Sequence, residues 1–243
     1  MSMKKVLFTI ILLPILLLVG IFAYVQANQM PSSWRYKMTV EIETPEGVKS
    51  GYAIRQMGND NPVTFPPEAS NYGEVSGEAV VINLGERGNV FALIAHSSDL
   101  EFYASFPVPS GAGAETPAGY EYYDSLPVGT KAPLGTDRFI KMVTFTDLND
   151  PKSVELVYDK ETCAWAKDTI EECKNNGERI GSYTVANRFE ELFGEGVKLK
   201  SITLEITDEP TTWGVVDRWL PDQARKLNMT YSYFSWPNKP IAE

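Results

Sequence analysis

The sequence predicts an α+β fold that is mostly β: an N-terminal transmembrane helix, then antiparallel hairpins with two or three short helices. Three observations lead to this prediction. An uncharged apolar run fills residues 6–25, polar and apolar residues alternate in several short stretches beyond it, and turns rich in Gly, Pro and Asn separate those stretches. Stretches with helical spacing are few and short.

The apolar run, VLFTIILLPILLLVGIFAYV, is long enough to be a membrane anchor. At about 1.5 Å per residue, a helix over residues 6–25 crosses a hydrocarbon core of roughly 30 Å. Lys4 and Lys5 precede the run, so the positive-inside tendency places the N-terminus in the cytoplasm and the rest outside it. The alternative is a signal peptide cleaved after Ala27, although its apolar core is usually only roughly 7–15 residues long.

The sequence divides into three predicted segments. Residues 1–27 are the anchor or signal peptide, 28–33 are a linker, and 34–243 are predicted to form a single β-rich extracytoplasmic domain. A segment of about 210 residues can bury one core of useful size.

The predicted domain is strongly acidic. All 32 acidic residues lie beyond residue 27, together with 20 of the 22 basic residues, which leaves the domain with a net charge of −12. Such a surface repels nucleic acid and anionic lipid head groups, so neither is expected as a partner.

Two β-hairpins are predicted in the first half of the domain, over residues 33–57 and 80–95. Both show the period-2 alternation of half-buried strands, and turn residues occupy their centres at 45–47 and 85–89. The returning stretch 90–95 is apolar throughout, which indicates a central strand buried on both faces.

The aromatic tail 231–236 is predicted to be a last strand, and a position near the bilayer surface is the alternative. Earlier strands are predicted at 139–145, 154–158 and 201–207. In the third of these, Ile202, Leu204 and Ile206 face inward. Lys198 and Lys200 have the same parity as that inward face, so the strand begins later or contains a bulge near residue 200.

Three helices are predicted from capping and spacing. The first spans residues 160–174, with Asp159 as its N-cap and Cys163, Ala166, Ile170 and Cys173 on one stripe. The second spans 185–193 and ends at Gly194, and a short third covers 215–220 before Pro221.

The two cysteines, Cys163 and Cys173, leave two alternatives open. In an oxidising compartment such a pair is expected to form a disulfide. A straight helix separates positions ten apart by about 15 Å, whereas a disulfide needs Cα atoms within about 7 Å. Either the helix breaks and the bridge forms, or the helix is regular and the thiols stay free.

Residues 101–133 are predicted to be a long connection, since five prolines preclude long regular elements there. Tyr120, Tyr122 and Tyr123 make it a candidate binding surface, and a partly disordered insertion is the alternative.

Catalytic and metal motifs receive little support. His96, Ser97, Ser98 and Asp99 are the residue types of a hydrolase triad, but a triad converges from distant segments and no G-x-S-x-G elbow is present. We interpret the four as a turn. We therefore assign no catalytic, cofactor-binding or metal-binding residues, and expect no cofactor.

Three sets of oxygen-bearing side chains are also interpreted as structural. Asp147, Asn149 and Asp150 lack the calcium-loop spacing and are expected to close a turn. Adjacent carboxylates point about 100° apart on a helix, so two such pairs are read as solvated surface. These pairs are Glu171 with Glu172 and Glu190 with Glu191.

Three stretches, TVEIETPEGVKSG at 39–51, VTFTDLNDPKSVELV at 143–157 and FGEGVKLKSITLEITDEP at 193–210, together resemble bacterial single-pass inner-membrane proteins of unassigned function. The cysteine-bearing segment 159–183 looks like an addition to that pattern. The resemblance implies an inner-membrane protein whose domain lies in the periplasm, and it supplies no catalytic residues.

The functional prediction is a membrane-anchored extracytoplasmic binding or accessory module of the bacterial envelope that engages another envelope protein. One alternative is an anchored hydrolase that uses two carboxylates roughly 6.5–9.5 Å apart. The other is a solute-sensing domain.

Overall fold

The computed structural model describes most of the predicted domain and part of the apolar run. The described residues are 12–15, 17–21, 32–59, 74–94, 100–109, 111–114, 116–134, 140–160, 171–175, 178–183, 185–220 and 235–236. Residues 96–99, which are interpreted as a turn, lie outside them, as do the linker residues 28–31 and Cys163.

The described domain is mostly β, with antiparallel strands and a few short helices, as the alternation predicts. The strands are β1 Ser32–Thr44, β2 Gly47–Asn59, β3 Glu74–Glu78, β4 Val80–Asn83, β5 Asn89–Ala92, β6 Lys131–Pro133, β7 Lys141–Phe145, β8 Val154–Lys160, β9 Glu171–Asn175, β10 Glu178–Tyr183, β11 Val185–Asn187, β12 Lys198–Thr207 and β13 Ser235–Trp236. The helices are α1 Leu100–Ser105, α2 Pro117–Asp124, α3 Phe189–Phe193 and α4 Val215–Trp219.

Residues 12–15 and 17–21 are also helical. No helix among the residues that the structure describes combines the length and apolar character needed to cross a membrane.

The strands form three sheets. A six-stranded sheet has the order β13-β3-β2-β1-β12-β6, and a five-stranded sheet has the order β11-β8-β7-β5-β4. The third sheet is the hairpin of β9 and β10. β5 lies between β4 and β7 and is buried on both faces, which confirms the predicted central strand.

The first hairpin, β1 with β2, is confirmed together with its turn. Met38, Val40 and Ile42 are fully buried, while the residues between them are only partly buried. Gly47 has φ of 113°, a conformation that a residue with a Cβ adopts only with strain. The Pro-Glu-Gly sequence therefore specifies both the turn and the register.

The six-stranded and five-stranded sheets meet where the chain passes from β3 to β4. β3 ends at Glu78, β4 begins at Val80, and Ala79 between them belongs to neither strand. The backbone of β4 then passes close to β2, because a Cβ at Gly51 would lie 2.1 Å from the carbonyl oxygen of Val81. Only glycine permits that approach, so Gly51 fixes the distance between the sheets.

The bent arrangement encloses two cores. The larger lies between the sheets and includes Tyr36 and Met38 from β1 and Ile82 and Val90 from the other sheet. The smaller lies on the opposite face of the five-stranded sheet, where α4 covers Phe91 and Val143.

A bulge in β12 confirms the prediction made from lysine parity. Glu41 pairs with Ser201 and Ile42 pairs with Leu199, so Lys200 is the extra residue. The bulge lets Lys200 reach solvent while Ile202 stays inward.

A second bulge breaks the predicted alternation of residues 154–158. Met142 pairs with Tyr158 and Val143 pairs with Leu156, which leaves Val157 as the extra residue. Val157 and Tyr158 consequently both enter the larger core, whereas Leu156 packs on the smaller one.

The predicted helix over 160–174 is wrong where the structure describes it. β8 continues through Lys160, and residues 171–175 form β9, paired with β10. Asp159 is a strand residue rather than an N-cap, and its carboxylate lies 3.1 Å from the Lys141 ammonium on the neighbouring strand. These residues form strands because they pair with neighbouring strands, and local residue spacing does not reveal such pairing. The Cys163–Cys173 pairing lies outside the described residues.

The elements from residue 185 onward agree in part with the predictions. The predicted helix over 185–193 divides into the short strand β11 and the helix α3, and Gly194 ends the helix with φ of 98°. α4 confirms the helix predicted before Pro221. From the tail, β13 pairs with β3.

Candidate functional site

The oxygen-rich turn at 147–151 is structural, as its spacing indicates. The Asp147 carboxylate accepts the backbone N–H of Asn149 at 2.8 Å, and the Asp150 carboxylate accepts that of Lys152 at 2.9 Å. These bonds to backbone N–H groups two residues ahead are those of Asx turns, so each carboxylate closes the turn. No group of three or more His, Cys, Asp or Glu side chains in the described ranges is placed to hold a metal ion.

The paired carboxylates also have local partners or lie on a strand. Glu190 accepts the backbone N–H of Gly196 at 3.1 Å, and Glu191 forms an ion pair of 2.6 Å with Arg188. Glu171 and Glu172 belong to β9, so their expected place on a helix is wrong.

The tyrosines of the long connection do not form a surface. Tyr120 and Tyr123 are buried, and Tyr122 packs against the larger core. The connection folds into α1, α2 and β6, which corrects both earlier interpretations, the tyrosine surface and the partly disordered insertion. Its prolines shorten the elements, and Thr116 caps α2 by accepting the backbone N–H of Gly119.

These residues join an aromatic group at the Ser32 end of the first hairpin. The Trp34 ring lies 4.9 Å from Tyr123 and 5.7 Å from Phe102, measured between ring centroids. Phe102 also lies 5.1 Å from Tyr36. Helices α1 and α2 therefore cover the beginning of β1 with aromatic side chains, at separations typical of favourable ring pairs.

Five buried polar atoms in this region have no hydrogen-bond partner within the described part of the chain. We name the five residues the polar–aromatic cluster; their atoms are Trp34 Nε1, Tyr36 Oη, Glu101 Oε1, Ser105 Oγ and Tyr123 Oη. Leaving one such group unpaired costs about 1–3 kcal/mol, so five are a large fraction of a typical net stability of about 5–15 kcal/mol.

Arg55 lies beside this cluster and is 1% exposed. It stands directly opposite Tyr36 in the pairing of β1 with β2, so both side chains enter the larger core. Its guanidinium donates to the carbonyl oxygens of Glu78 at 3.3 Å, and of Ala92 and Leu93 at 3.4 Å each. Arg55 thus supplies hydrogen bonds to backbone carbonyls at the corner where β3 of the six-stranded sheet leads into β4 of the five-stranded sheet.

The charge of Arg55 has a buried counterpart in Glu101, which is 2% exposed. Burial lowers the pKa of Arg55, and the negative charge of Glu101 opposes that shift. The two charges compensate each other electrostatically, as buried charges require.

Glu78, the other buried glutamate, is committed to α4. Its carboxylate accepts the backbone N–H groups of Val215 at 3.0 Å and Val216 at 3.2 Å, and so caps the helix N-terminus. Burial raises the pKa of Glu78, and these hydrogen bonds oppose that shift. Glu78 therefore has a structural role rather than that of a carboxylate facing Glu101.

One exposed aromatic residue lies on the outer face of the six-stranded sheet, and another lies in the segment beside β2. Tyr52 is 51% exposed, and the Lys37 ammonium lies 4.3 Å from its ring centroid. Trp213, 38% exposed, follows Thr212, whose backbone N–H donates to the carbonyl of Ile54 at 3.0 Å. Since Tyr52 and Ile54 are neighbours on one face of β2, Tyr52 and Trp213 occupy the same part of the sheet. We name this area the Tyr52–Trp213 surface.

Sequence reasoning missed the buried charges. Arg55 has the parity of Ala53 and Met57, the inward face of β2, and that signal could have identified it. Glu101 lies in the first turn of a helix of only six residues, Leu100–Ser105, which is too short for its periodicity to show an inward face, so the sequence contains no comparable signal for it.

No family model, curated protein or solved structure matches this chain.

Proposed function

We propose that this chain is a membrane-anchored extracytoplasmic binding module that engages an envelope protein through the Tyr52–Trp213 surface. The observation that carries the proposal is a pair of exposed aromatic residues, one on the outer face of the six-stranded sheet and one beside β2. Residues 6–25 supply the anchor, and Lys4 and Lys5 keep the N-terminus in the cytoplasm. The resemblance to bacterial single-pass proteins favours the inner membrane as the location.

The helical residues within the apolar run support an anchor. Their large apolar side chains are 40–65% exposed instead of packing on the domain. Exposed apolar area costs roughly 25 cal/mol per Å² in water, and a hydrocarbon environment removes that cost. β1 begins at Ser32, so an anchor ending near residue 25 holds the domain close to the bilayer.

The composition of the Tyr52–Trp213 surface supports a protein partner. Tyr and Trp are enriched among the residues that dominate binding energy at protein interfaces. Elsewhere this face is covered by ion pairs between neighbouring strands, such as Lys200 with Glu41 at 3.2 Å and Lys198 with Glu43 at 3.4 Å. An aromatic centre with a charged rim is a common interface arrangement.

The described residues give less support to the hydrolase alternative. It needs two carboxylates that share one cleft, and Glu78 is occupied as a helix cap.

The test is crosslinking in intact cells, followed by capture of the tagged full-length chain and mass spectrometry. We expect one stoichiometric envelope protein, and we expect Tyr52→Ala with Trp213→Ala to lower its yield about tenfold or more, as for hot-spot residues. Val154→Ala is the matched control, because Val154 is 37% exposed on the five-stranded sheet.

Two results would contradict the proposal. Recovery of no envelope protein by the wild-type chain would remove the partner. An equal loss of yield in Val154→Ala would remove the Tyr52–Trp213 surface from the account.

A further inference from the structure

We propose that residues 208–220, which we name the strap, dock on the rest of the domain and undock as one unit, and that Glu78 makes docking stronger as the pH falls. The strap carries Trp213, so its state decides whether the Tyr52–Trp213 surface is assembled. This consequence for binding rests on the proposed function, whereas the strap itself is defined by contacts within the chain.

The first part of the strap crosses the outer face of the six-stranded sheet. β12 ends at Thr207, and the Glu209 carboxylate then lies 3.6 Å from the Lys37 ammonium of β1. On β2, the Thr212 hydroxyl accepts the backbone N–H of Ile54 at 2.9 Å, and the Thr212 N–H donates to the Ile54 carbonyl at 3.0 Å. Ile54 is consequently only 4% exposed, although it lies on the outward-facing side of β2.

The second part of the strap is α4, which depends on Glu78. Gly214 precedes the helix with φ of 81°, a conformation that favours glycine. Within α4 the buried residue is Val216, while Trp219 is only partly buried. The Glu78 carboxylate accepts the backbone N–H groups of Val215 and Val216. Since a helix of five residues is not stable alone, α4 forms only while it is docked.

The two attachments lie close together in the chain. Only Trp213 and Gly214 separate Thr212, which is bonded to β2, from Val215, which is bonded to Glu78. Both attachments consist mainly of hydrogen bonds with few buried apolar contacts, which is typical of segments that open locally without global unfolding. Trp213 therefore keeps its position only while both attachments hold.

The pH dependence follows from the burial of Glu78, which is 2% exposed while the strap is docked. Charged groups face it from two packed elements: Asp217 of α4, and Arg55 of β2, whose Nε donates to the Glu78 carbonyl. Burial raises the pKa of Glu78, the backbone N–H groups oppose that shift, and the Asp217 charge adds to it. The docked strap therefore holds the proton more tightly than the undocked one. Docking is strongest below pH 4.5 and weakens as the pH rises through the docked pKa.

The experiment follows amide hydrogen exchange of the purified full-length chain in detergent micelles from pH 4.5 to 7.5, corrected for the intrinsic effect of pH on exchange. The amides of Thr212, Val215 and Val216 should share one opening constant. It should increase by up to about tenfold per pH unit until Glu78 is ionised in both states. The amides of β1 should stay protected, because the strap opens without unfolding of the sheet.

Glu78→Gln separates proton binding from the capping of α4. The side-chain amide keeps an acceptor oxygen but binds no proton in this range, so the opening constant should no longer depend on pH. Glu86→Gln is the matched control and should keep the wild-type dependence, because Glu86 is an exposed carboxylate of the short helix Gly85–Arg87.

Thr212→Val tests whether the strap is one unit. It removes the hydroxyl that accepts the Ile54 N–H, so the opening constant at Val215 and Val216 should rise about three- to tenfold, as expected for one hydrogen bond.

Three outcomes would overturn the proposal. They are a wild-type opening constant that does not increase with pH, an unchanged pH dependence in Glu78→Gln, and an effect of Thr212→Val that is confined to position 212. The purified chain contains no envelope partner, so each of these results would leave the proposed protein interface untouched.

Discussion

Two neighbouring parts of the same core differ in whether their buried polar groups form hydrogen bonds. At the corner between the sheets, Arg55 donates to three backbone carbonyls and Glu78 accepts from two backbone amides. Elsewhere in the same core, the polar–aromatic cluster buries five polar atoms that have no hydrogen-bond partner among the described residues. The contrast separates polar side chains that hold the fold through hydrogen bonds from polar side chains that are buried without forming such bonds.

The largest effect is expected at Arg55. Arg55→Ala leaves the Glu101 charge uncompensated and three carbonyls without their donor, so the free energy of unfolding should fall by about 3–5 kcal/mol. Denaturant unfolding of the full chain measures it. Lys198→Ala is the control: that exposed ion pair should change stability by no more than about 0.5 kcal/mol. Equal effects would mean that the corner is not held by Arg55.

Glu78→Ala should have the next largest effect, a loss of about 1–3 kcal/mol, because two helix N–H groups lose their acceptor. Hydrogen exchange should show faster opening of α4 than of β1. Unchanged protection of the amides of Val215 and Val216 would contradict the capping role.

Glu78 also predicts a pH dependence. Because its pKa is raised in the fold above the ordinary value of 4.5, the folded state holds this proton more tightly than the unfolded state. That contribution to stability is present below pH 4.5 and is lost as the pH rises through the folded pKa. Glu78→Gln should remove this component, so the difference between wild type and variant should change across that interval and be flat above it. A difference that is constant throughout would contradict the shift.

The cluster should behave differently from the corner when its hydroxyls are removed. Tyr36→Phe with Tyr123→Phe, in the absence of ligand, should leave the free energy of unfolding unchanged or raise it by up to about 1 kcal/mol, since no protein hydrogen bond is lost. Burial raises the pKa of the Tyr123 hydroxyl, which agrees with a group poor in polar contacts. A loss comparable to that of Arg55→Ala would show that the hydroxyls hold the fold.

The smallest effect is expected on the surface, at Glu46. The Arg87 guanidinium lowers the pKa of Glu46 to about 2, so the stabilisation is present above pH 4.5 and is lost as the pH falls through about 2. Titration followed by NMR should give the shifted value, and Arg87→Gln should return it toward 4.5. A pKa near 4.5 in the wild type would contradict the ion pair.

The difference between local and long-range interactions explains which features the sequence could predict. The first hairpin, the turn at Gly47 and the bulge at Lys200 follow from period-2 alternation and turn chemistry, which are local. The strands β9 and β10 were assigned to a helix or left unassigned, because Cys173 fits a helical stripe and pairing between strands is not local. The aromatic group around Trp34 was not predictable, since Phe102 and Tyr123 reach Trp34 only through tertiary packing.

The most direct measurement compares Arg55→Ala with the double variant Tyr36→Phe and Tyr123→Phe by denaturant unfolding of the full chain. The account predicts that Arg55→Ala lowers the free energy of unfolding by about 3–5 kcal/mol, whereas the double variant changes it by no more than about 1 kcal/mol. Equal losses in the two variants would contradict the difference between the corner and the polar–aromatic cluster.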